Sequence, residues 1–455
     1  DVMAHAATFS TLGARVGGLA APAAASQKDA LRGAALCTPG IGMRSVVVKS
    51  ASTSSTITAS AQKGDDAKPA FGAALRNAAF GLAAAASVAF PTLPADAVLP
   101  SGEPVNNPDA LLRYALPIQN KPIRKIQKSL EDINQGLRVP SMRVKVDAVN
   151  KGASKSLDVV KKDSAKIIAD VAPAKKAEAT KILAELNQGL IELKSMADKE
   201  DIQEVPYKQQ ALLKMVGEIE ADMVEKFPFE VPAEYASMPL LKGRATIEAK
   251  VIKKREIRTE TEVVTMVVDG LNAPVTAGNF VDLVARGFYN GMEIQRADGF
   301  VVQTGDPSYG KRGQPAGYVD PATGKVRTIP LEIKVDKDKE PIYNFPLEEI
   351  GRFNEQPTLS FNAYGTMAMA REEFDPDSAS SQIFWLLKEN EITPSASNIL
   401  DGRYAVFGYA TENNDMFGKL KVGDKIEYMK VTQGMEYLEN YKKTAPAPAD
   451  VADAE

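Results

Sequence analysis

The chain has 455 residues, with 55 Lys and Arg against 59 Asp and Glu for a formal net charge of −4, and a single histidine and a single cysteine. That length leaves room for more than one hydrophobic core, and the acidic balance argues against a nucleic-acid partner. The histidine and cysteine are His5 and Cys37, both near the N-terminal end. A chain without that stretch has no Ser-His or Cys-His catalysis, thiol redox chemistry, disulfide or zinc site of the His/Cys kind.

Residues 1 to about 70 are dominated by Ala, Ser, Thr and Gly, with scattered Arg15, Arg32, Arg44 and Lys49 and few acids. This is the composition of a transit peptide. From Arg76 an apolar run, Ala78-Ala79-Phe80-Gly81-Leu82 through Val88-Ala89-Phe90, leads to Ala95-Asp96-Ala97. A positive residue, a short apolar core and small residues at minus three and minus one predict cleavage after Ala97, with Val98 as the mature N-terminus. A buried or single-span helix is the competing reading. Against it, the run is shorter than the roughly 20 residues that cross a bilayer, and Pro91 and Pro94 end it.

A transit segment followed by a signal segment resembles the bipartite leader of chloroplast proteins bound for the thylakoid lumen. Residues 1–97 are therefore read as a removed targeting leader, Sec-like because Arg76 has no arginine beside it. What remains carries 47 basic and 54 acidic residues, about −7, and no further segment long and apolar enough to span a membrane.

Residues 98–230 read as a helical bundle. Ile123, Ile126, Leu130, Ile133 and Leu137 recur at three- and four-residue steps, as do Ile182, Leu186, Leu190 and Leu193, and Leu212, Val216, Ile219 and Met223. Such stripes bury their apolar faces on one another, which predicts about four or five packed helices. A zipper for a partner helix is the other reading, but the stripes are too short, and too often broken by proline, for a sustained heptad seam. Breaks are expected at Pro117 with Pro122, at Pro140, at Pro173 and at Pro206.

Phe227-Pro228-Phe229-Glu230-Val231-Pro232 is a stiff connector, and beyond it the period changes. Residues 245–252 and 262–268 are β-rich runs, and Asn272 to Gly287 reads as a helix opened by Pro274. Short strands and two helices over residues 231–440 predict an antiparallel barrel closed at its ends by helices. Gly310 to Gly324 is read as a surface loop, and residues 441–455 as a disordered tail.

Three blocks carry the chemistry: Gln295-Arg296-Ala297-Asp298-Gly299-Phe300-Val301-Val302-Gln303-Thr304-Gly305-Asp306, then Met367-Ala368-Met369-Ala370, then Ser381-Gln382-Ile383-Phe384-Trp385. Taken alone, a strand arginine is usually a solvated charge, and Phe384 or Trp385 a core residue. In this order, with Gly287-Phe288-Tyr289 before them and Leu400-Asp401-Gly402 and Val406-Phe407-Gly408 after, they resemble the cyclophilins, peptidyl-prolyl cis/trans isomerases. The likeness covers about residues 240 to 440. It implies a multidomain α + β chain: an N-terminal helical bundle followed by a cyclophilin-like closed antiparallel β-barrel capped by helices.

The resemblance also implies roles. Arg296 matches the catalytic arginine and Gln303 the glutamine that orients it. Phe300 and Val301 match walls of the proline pocket, Phe384 its aromatic floor and Leu400 a further wall; Ala368 and Gln382 match the substrate channel. The chain departs from the family at Val301, where a longer methionine is common, at Met369 for an asparagine that helps hold the peptide, at Ile399 for a tryptophan and at Tyr404 for a histidine. Each lost polar partner removes a hydrogen bond of about 0.5 to 1.5 kcal/mol. The loop Arg371-Glu372-Glu373-Phe374-Asp375-Pro376-Asp377 places four carboxylates beside the pocket. Two readings stand for it, a solvated loop or an acidic rim that pairs with Arg296 or repels acidic peptides.

Implied overall is a folding and assembly factor of the chloroplast thylakoid lumen serving photosystem II. It would bind proline-containing segments of polypeptide, in particular lumenal loops of photosystem II subunits, and the resemblance suggests a link to a thylakoid phosphatase. Its isomerase activity would be weak, conditional or autoinhibited; the alternative is a fully competent isomerase acting on exposed X-Pro bonds. Neither reading calls for a cofactor or a metal.

Overall fold

The helical stripes demand partners, and they find them in a closed ring. A computed structural model describes residues 105–255, 258–311, 313–389 and 398–441 of the chain. The leader and the residues after Tyr441 lie outside the described residues. Six helices occupy the N-terminal part: α1 (Pro108–Tyr114), α2 (Lys121–Glu131), α3 (Ile133–Leu137), α4 (Met142–Ala169), α5 (Lys176–Asp198) and α6 (Val205–Ala221). Proline marks the starts: Pro122 and Pro206 sit in the first turns of α2 and α6, and Asn120 caps α2 by accepting the Ile123 N–H at 3.0 Å. In the ring, α2 packs on α4, α4 on α5, α5 on α6 and α6 on α2. Its core holds Ile123, Ile126, Leu130, Leu186, Leu190, Leu193, Leu212, Val216 and Ile219. The stripe ending at Leu137 is two helices, divided at Asp132.

Helix α1 belongs to the other core. Its Leu111, Leu112 and Ala115 are buried with the β-structure, and polar groups from both sides take its carbonyls. Arg244 Nη2 donates to Leu112 O at 2.5 Å and Asn272 Nδ2 to Ala115 O at 2.9 Å. From the ring, Arg124 donates to Arg113 O at 2.8 Å and to Leu116 O at 3.0 Å, while Arg113 and Tyr114 bond Glu131.

The β-structure centres on one antiparallel sheet of eight strands, accompanied by three short two-stranded pairs: β1 (Arg244–Lys254), β2 (Thr259–Asp269), β3 (Arg296–Ala297), β4 (Val301–Thr304), β5 (Thr366–Met369), β6 (Ile383–Leu386), β7 (Val406–Glu412) and β8 (Lys425–Gln433) form the large sheet, in the order β8-β1-β2-β7-β5-β6-β4-β3. Main-chain bonds join its two edges, Ile294 N to Asp424 O and Ile426 N to Met292 O, just before β3 and at the start of β8. Among the described residues this part supplies one α-helix of its own, α7 (Pro274–Ala285), buried along almost its whole length; the other helix packed on the sheet is α1. The expected loop 310–324 contains the start of a small ribbon, Val319–Asp320 paired with Lys325–Val326. Tyr441, assigned to the tail, lies under the Arg286 guanidinium at 5.5 Å.

Two predictions follow from burial. A Cβ on Gly152 of α4 would lie 2.6 Å from Ile133 Cγ1 and 2.7 Å from Ser129 O. Gly152→Ala should therefore lower the thermal midpoint by a few degrees, because overpacking of about 1–3 kcal/mol outweighs the ~1 kcal/mol gain in helix propensity. An unchanged or raised midpoint in a calorimetric scan would refute the close packing of α4.

The second concerns pH. Burial pushes the carboxyls of Glu220, Glu332, Asp336 and Asp401 up to about 7. The folded chain then holds these protons more tightly than the unfolded one, so what these four groups contribute to stability is fully present below the unfolded carboxyl range and is lost as pH rises through about 7. Thermal unfolding at about pH 5.5 should give a higher midpoint than at about pH 8. Glu220→Gln should reduce the difference.

Candidate functional site

Strand β4 is the spine of the site. Across it Gln303 faces Arg296 of β3 on one side and Phe384 of β6 on the other, and Phe384 in turn faces Ala368 of β5. Side chains alternate along each strand, so residues in one cross-strand row lie on one face of the sheet, while Val302, Trp385 and Met367 of the next row enter the core. The register is held firmly. Gly305 has φ +101° and passes so close to β6 that a Cβ would lie 2.2 Å from Ser381 O. Ser381 Oγ donates to Gly305 O at 2.7 Å, Tyr289 OH to Ser381 O at 2.9 Å and Asn279 Nδ2 to Ser380 O at 2.6 Å, tying the strand ends to α7 and the turn after it.

Above this row lies a cavity of about 320 Å³. It gathers Arg296, Phe300, Val301, Gln303, Gln382, Phe384, Leu400 and Tyr404 from the residues singled out in the sequence. Phe384 forms an aromatic cluster there: its ring is stacked on Phe361 at 6.0 Å and met edge-on by Tyr404 at 5.6 Å, and Arg371 covers Tyr404 at 5.1 Å. Three of the singled-out residues stand elsewhere. Ala368 ends the row but is fully covered by its neighbours, and Met369, one position on and so on the face of Met367, is buried on the core side, while its N–H donates to Ala405 O at 3.2 Å. Ile399 points into solvent beside Leu400.

The cavity also takes residues to which the sequence assigns no individual place in the pocket: Ala316, Ala370, Arg371, Glu372, Ser378 and Ser380. Ala370 closes the second block, Arg371 directly follows it and Ser380 directly precedes the third, so reading each block to its edges would have found them. Ala316 carries no local signal. It arrives because Gln382 Nε2 donates to its carbonyl at 3.2 Å, drawing the Gly/Pro-rich loop across the cavity.

The arginine is tied. Asp298 Oδ2 accepts from Arg296 Nε at 2.6 Å and pairs with Nη2 at 2.5 Å, while Oδ1 accepts the Phe300 and Val301 N–H groups, each at 2.9 Å. Those backbone donors, Val301 foremost and then Phe300, together with Arg296, hold the Asp298 carboxyl down at about 2. The carboxylate thus persists at any pH above about 4 and is lost only as pH falls through its depressed value. Ala297-Asp298-Gly299 is a turn signal that marks such a carboxylate as a backbone acceptor. Gln303 donates through Nε2 to Gln382 Oε1 at 2.8 Å. Of the acidic loop, Asp375 and Asp377 accept backbone N–H groups from Asp377 and Leu331, and Glu372 reaches the cavity. The carboxylate that pairs with Arg296 is Asp298.

Among the described residues no group of three His, Cys, Asp or Glu side chains is placed to hold a metal, and no helix is long and apolar enough to cross a membrane. What the cavity offers is an apolar slot floored by an aromatic ring, with a guanidinium at its edge. Rotation about an X-Pro bond is opposed by roughly 18–20 kcal/mol of amide resonance. A guanidinium donating toward the prolyl nitrogen weakens that resonance without any acid, base or nucleophile.

Comparison with known proteins agrees with this geometry. Residues 107–224 match the family described as peptidyl-prolyl cis-trans isomerase CYP38-like, PsbQ-like domain, and residues 255–444 match cyclophilin type peptidyl-prolyl cis-trans isomerase/CLD. The chain is 52% identical over 354 residues to the chloroplastic peptidyl-prolyl cis-trans isomerase CYP38 of Arabidopsis thaliana, covering 78% of this chain and 80% of that one. It is 41% identical over 346 residues to a putative thylakoid lumen peptidyl-prolyl cis-trans isomerase of Synechocystis, covering 75% and 86%. Chloroplastic CYP37 of Arabidopsis is 29% identical over 363 residues, covering 76% and 74%. The chain is accordingly a protein of the chloroplast thylakoid lumen, and it belongs to the CYP38-like, cyclophilin-type peptidyl-prolyl cis-trans isomerases.

Proposed function

We propose that this protein is a folding and assembly factor for photosystem II that binds proline-containing backbone segments of lumenal loops, with weak or conditional isomerase activity. Removal of residues 1–97 would release a mature chain made of the helical ring and the barrel. In this reading Phe300, Val301, Phe384 and Leu400 receive the proline ring, Gln382 and Tyr404 border the adjoining peptide, and Arg296 donates toward the prolyl nitrogen.

One observation carries the weak activity: two nitrogens of the Arg296 guanidinium, Nε and Nη2, are already engaged by Asp298. A donor engaged in a charge-assisted pair must give up part of it to serve the substrate. Gln303, matched to the glutamine that orients the arginine, is meanwhile engaged with Gln382. The assembly role itself rests on the family resemblance. Crosslinking in thylakoids followed by mass spectrometry tests it: recovery of lumenal photosystem II loops is expected, and recovery only of unrelated lumenal proteins would count against it.

The catalytic reading predicts two substitutions. In a protease-coupled assay on a proline peptide, Arg296→Ala should reduce the turnover of the mature chain at least about tenfold, the scale of losing one electrostatic donor. Asp298→Asn keeps an oxygen for the Phe300 and Val301 N–H groups but removes the charge that holds Arg296. It should raise kcat/KM a few-fold. Wild-type turnover matching ordinary cyclophilins, or no gain from Asp298→Asn, would overturn the restrained-arginine reading.

A further inference from the structure

The turn 398–404, which gives Leu400 and Tyr404 to the cavity, is bonded on its other side to the loop 344–355. Leu347 N donates to Gly402 O at 2.8 Å, and Arg403 Nη2 pairs with Glu348 Oε2 at 2.6 Å. Leu347 anchors the loop in a small core of its own with Leu331, Ile333, Val335 and Ala405. Arg352 fixes the rest: its guanidinium grips Asp338 at 2.7 and 3.1 Å and Glu355 at 2.9 and 2.5 Å, and its N–H donates to Leu347 O at 2.8 Å.

This well-held frame nonetheless turns large apolar side chains outward. Phe345 is 51% exposed, Ile350 39%, Phe353 63% and, on the adjoining turn, Ile399 66%. Single exposed apolar residues are ordinary, but four on two segments locked together mark a contact surface. Of the charges among them, Glu348, Arg352 and Arg403 are paired with one another or with Asp338 and Glu355, and Glu349 is exposed. The face therefore presents apolar side chains beside one exposed carboxylate, and ion pairs that hold a loop in one conformation lower the entropy lost when something binds it.

We propose that this face docks an apolar side chain of the same extended polypeptide whose proline enters the cavity, so that the protein recognises a proline together with a hydrophobic residue a few positions away. The inference rests on the prolyl-binding reading above. Continuity with the cavity supports it: Ile399 adjoins Leu400, and Gly402 is bonded to Leu347, two residues from Phe345. An extended peptide advances about 3.3 Å per residue, so a side chain three to five positions from the proline lies about 10–15 Å along the peptide from it.

Calorimetric titration of the mature full chain tests this with Ala-Pro peptides of one length that carry either Leu or Ser three to five positions from the proline, on either side. The Leu peptide should bind the wild type about five- to tenfold more tightly, the scale of partly burying one apolar side chain. Phe345→Ser with Phe353→Ser should abolish that gain while leaving the Ser peptide unaffected, and Phe353→Ser alone should reduce it. Phe374→Ser, on the acidic loop, should leave the gain intact. Equal binding of the two peptides by the wild type, or a gain that survives the double substitution or disappears with Phe374→Ser, overturns the proposal. If neither peptide binds, the prolyl-binding reading fails and takes this inference with it.

Discussion

Strand pairing at Gln303 sets the geometry of the whole site. With Arg296 opposite it in one neighbouring strand and Phe384 opposite it in the other, the cation and the aromatic floor are two interstrand spacings apart, about 10 Å. That is a distance a prolyl dipeptide can bridge. A slip of one residue would turn Gln303 inward and bring Val302 or Thr304 to the surface, since side chains alternate along a strand. The close passage of Gly305 beside Ser381, with Tyr289 and Asn279 bonded to Ser381 and Ser380, makes such a slip prohibitive. Helix α7 matters to function for this reason, although none of its side chains lines the cavity.

The same short hairpin that presents Arg296 also restrains it. Asp298 closes the turn through the Phe300 and Val301 N–H groups and spends its other oxygen on the guanidinium. One carboxylate thus shapes the slot wall at Phe300 and lowers the availability of the donor beside it. The two amides behind the arginine, Gln303 and Gln382, point toward each other and then to the Ala316 carbonyl, so the polar side of the cavity is already largely satisfied.

Helix α1 links the ring of helices to the sheet by an unusual division of labour. Its apolar face is buried with the β-structure, while its carbonyls are claimed by Arg244 and Asn272 from that side and by Arg124 from the other. Both arginines are balanced by fully buried carboxylates, Asp269 for Arg244 and Glu220 for Arg124. Buried pairs of this kind are costly to break, because the survivor is left charged and unpaired. The joint between the two parts is therefore polar and geometrically specific, where a larger apolar contact would tolerate sliding.

The sequence carried the period changes in plain view. Stripes at three- and four-residue steps marked the helices, proline placed their starts, and the alternation after Pro232 marked the sheet. Three blocks in order identified the family, and most of their residues meet at one cavity because a strand register converts sequence spacing into lateral spacing. Local pattern could not say that α1 packs on the sheet, since its short apolar stripe fits either core. It could not say that Met369 faces inward, a matter of which face of β5 is covered, or that Ala316 arrives from a distant loop. Nor could it reveal that Arg296 is held by Asp298, because two residues so close in sequence meet only when the turn between them takes one particular shape. Residue types and their periods fixed which elements form and which family they belong to. The pairing of charges, the covered faces and the long-range loop contacts depend on distances across the folded chain, so the tertiary structure alone decided them.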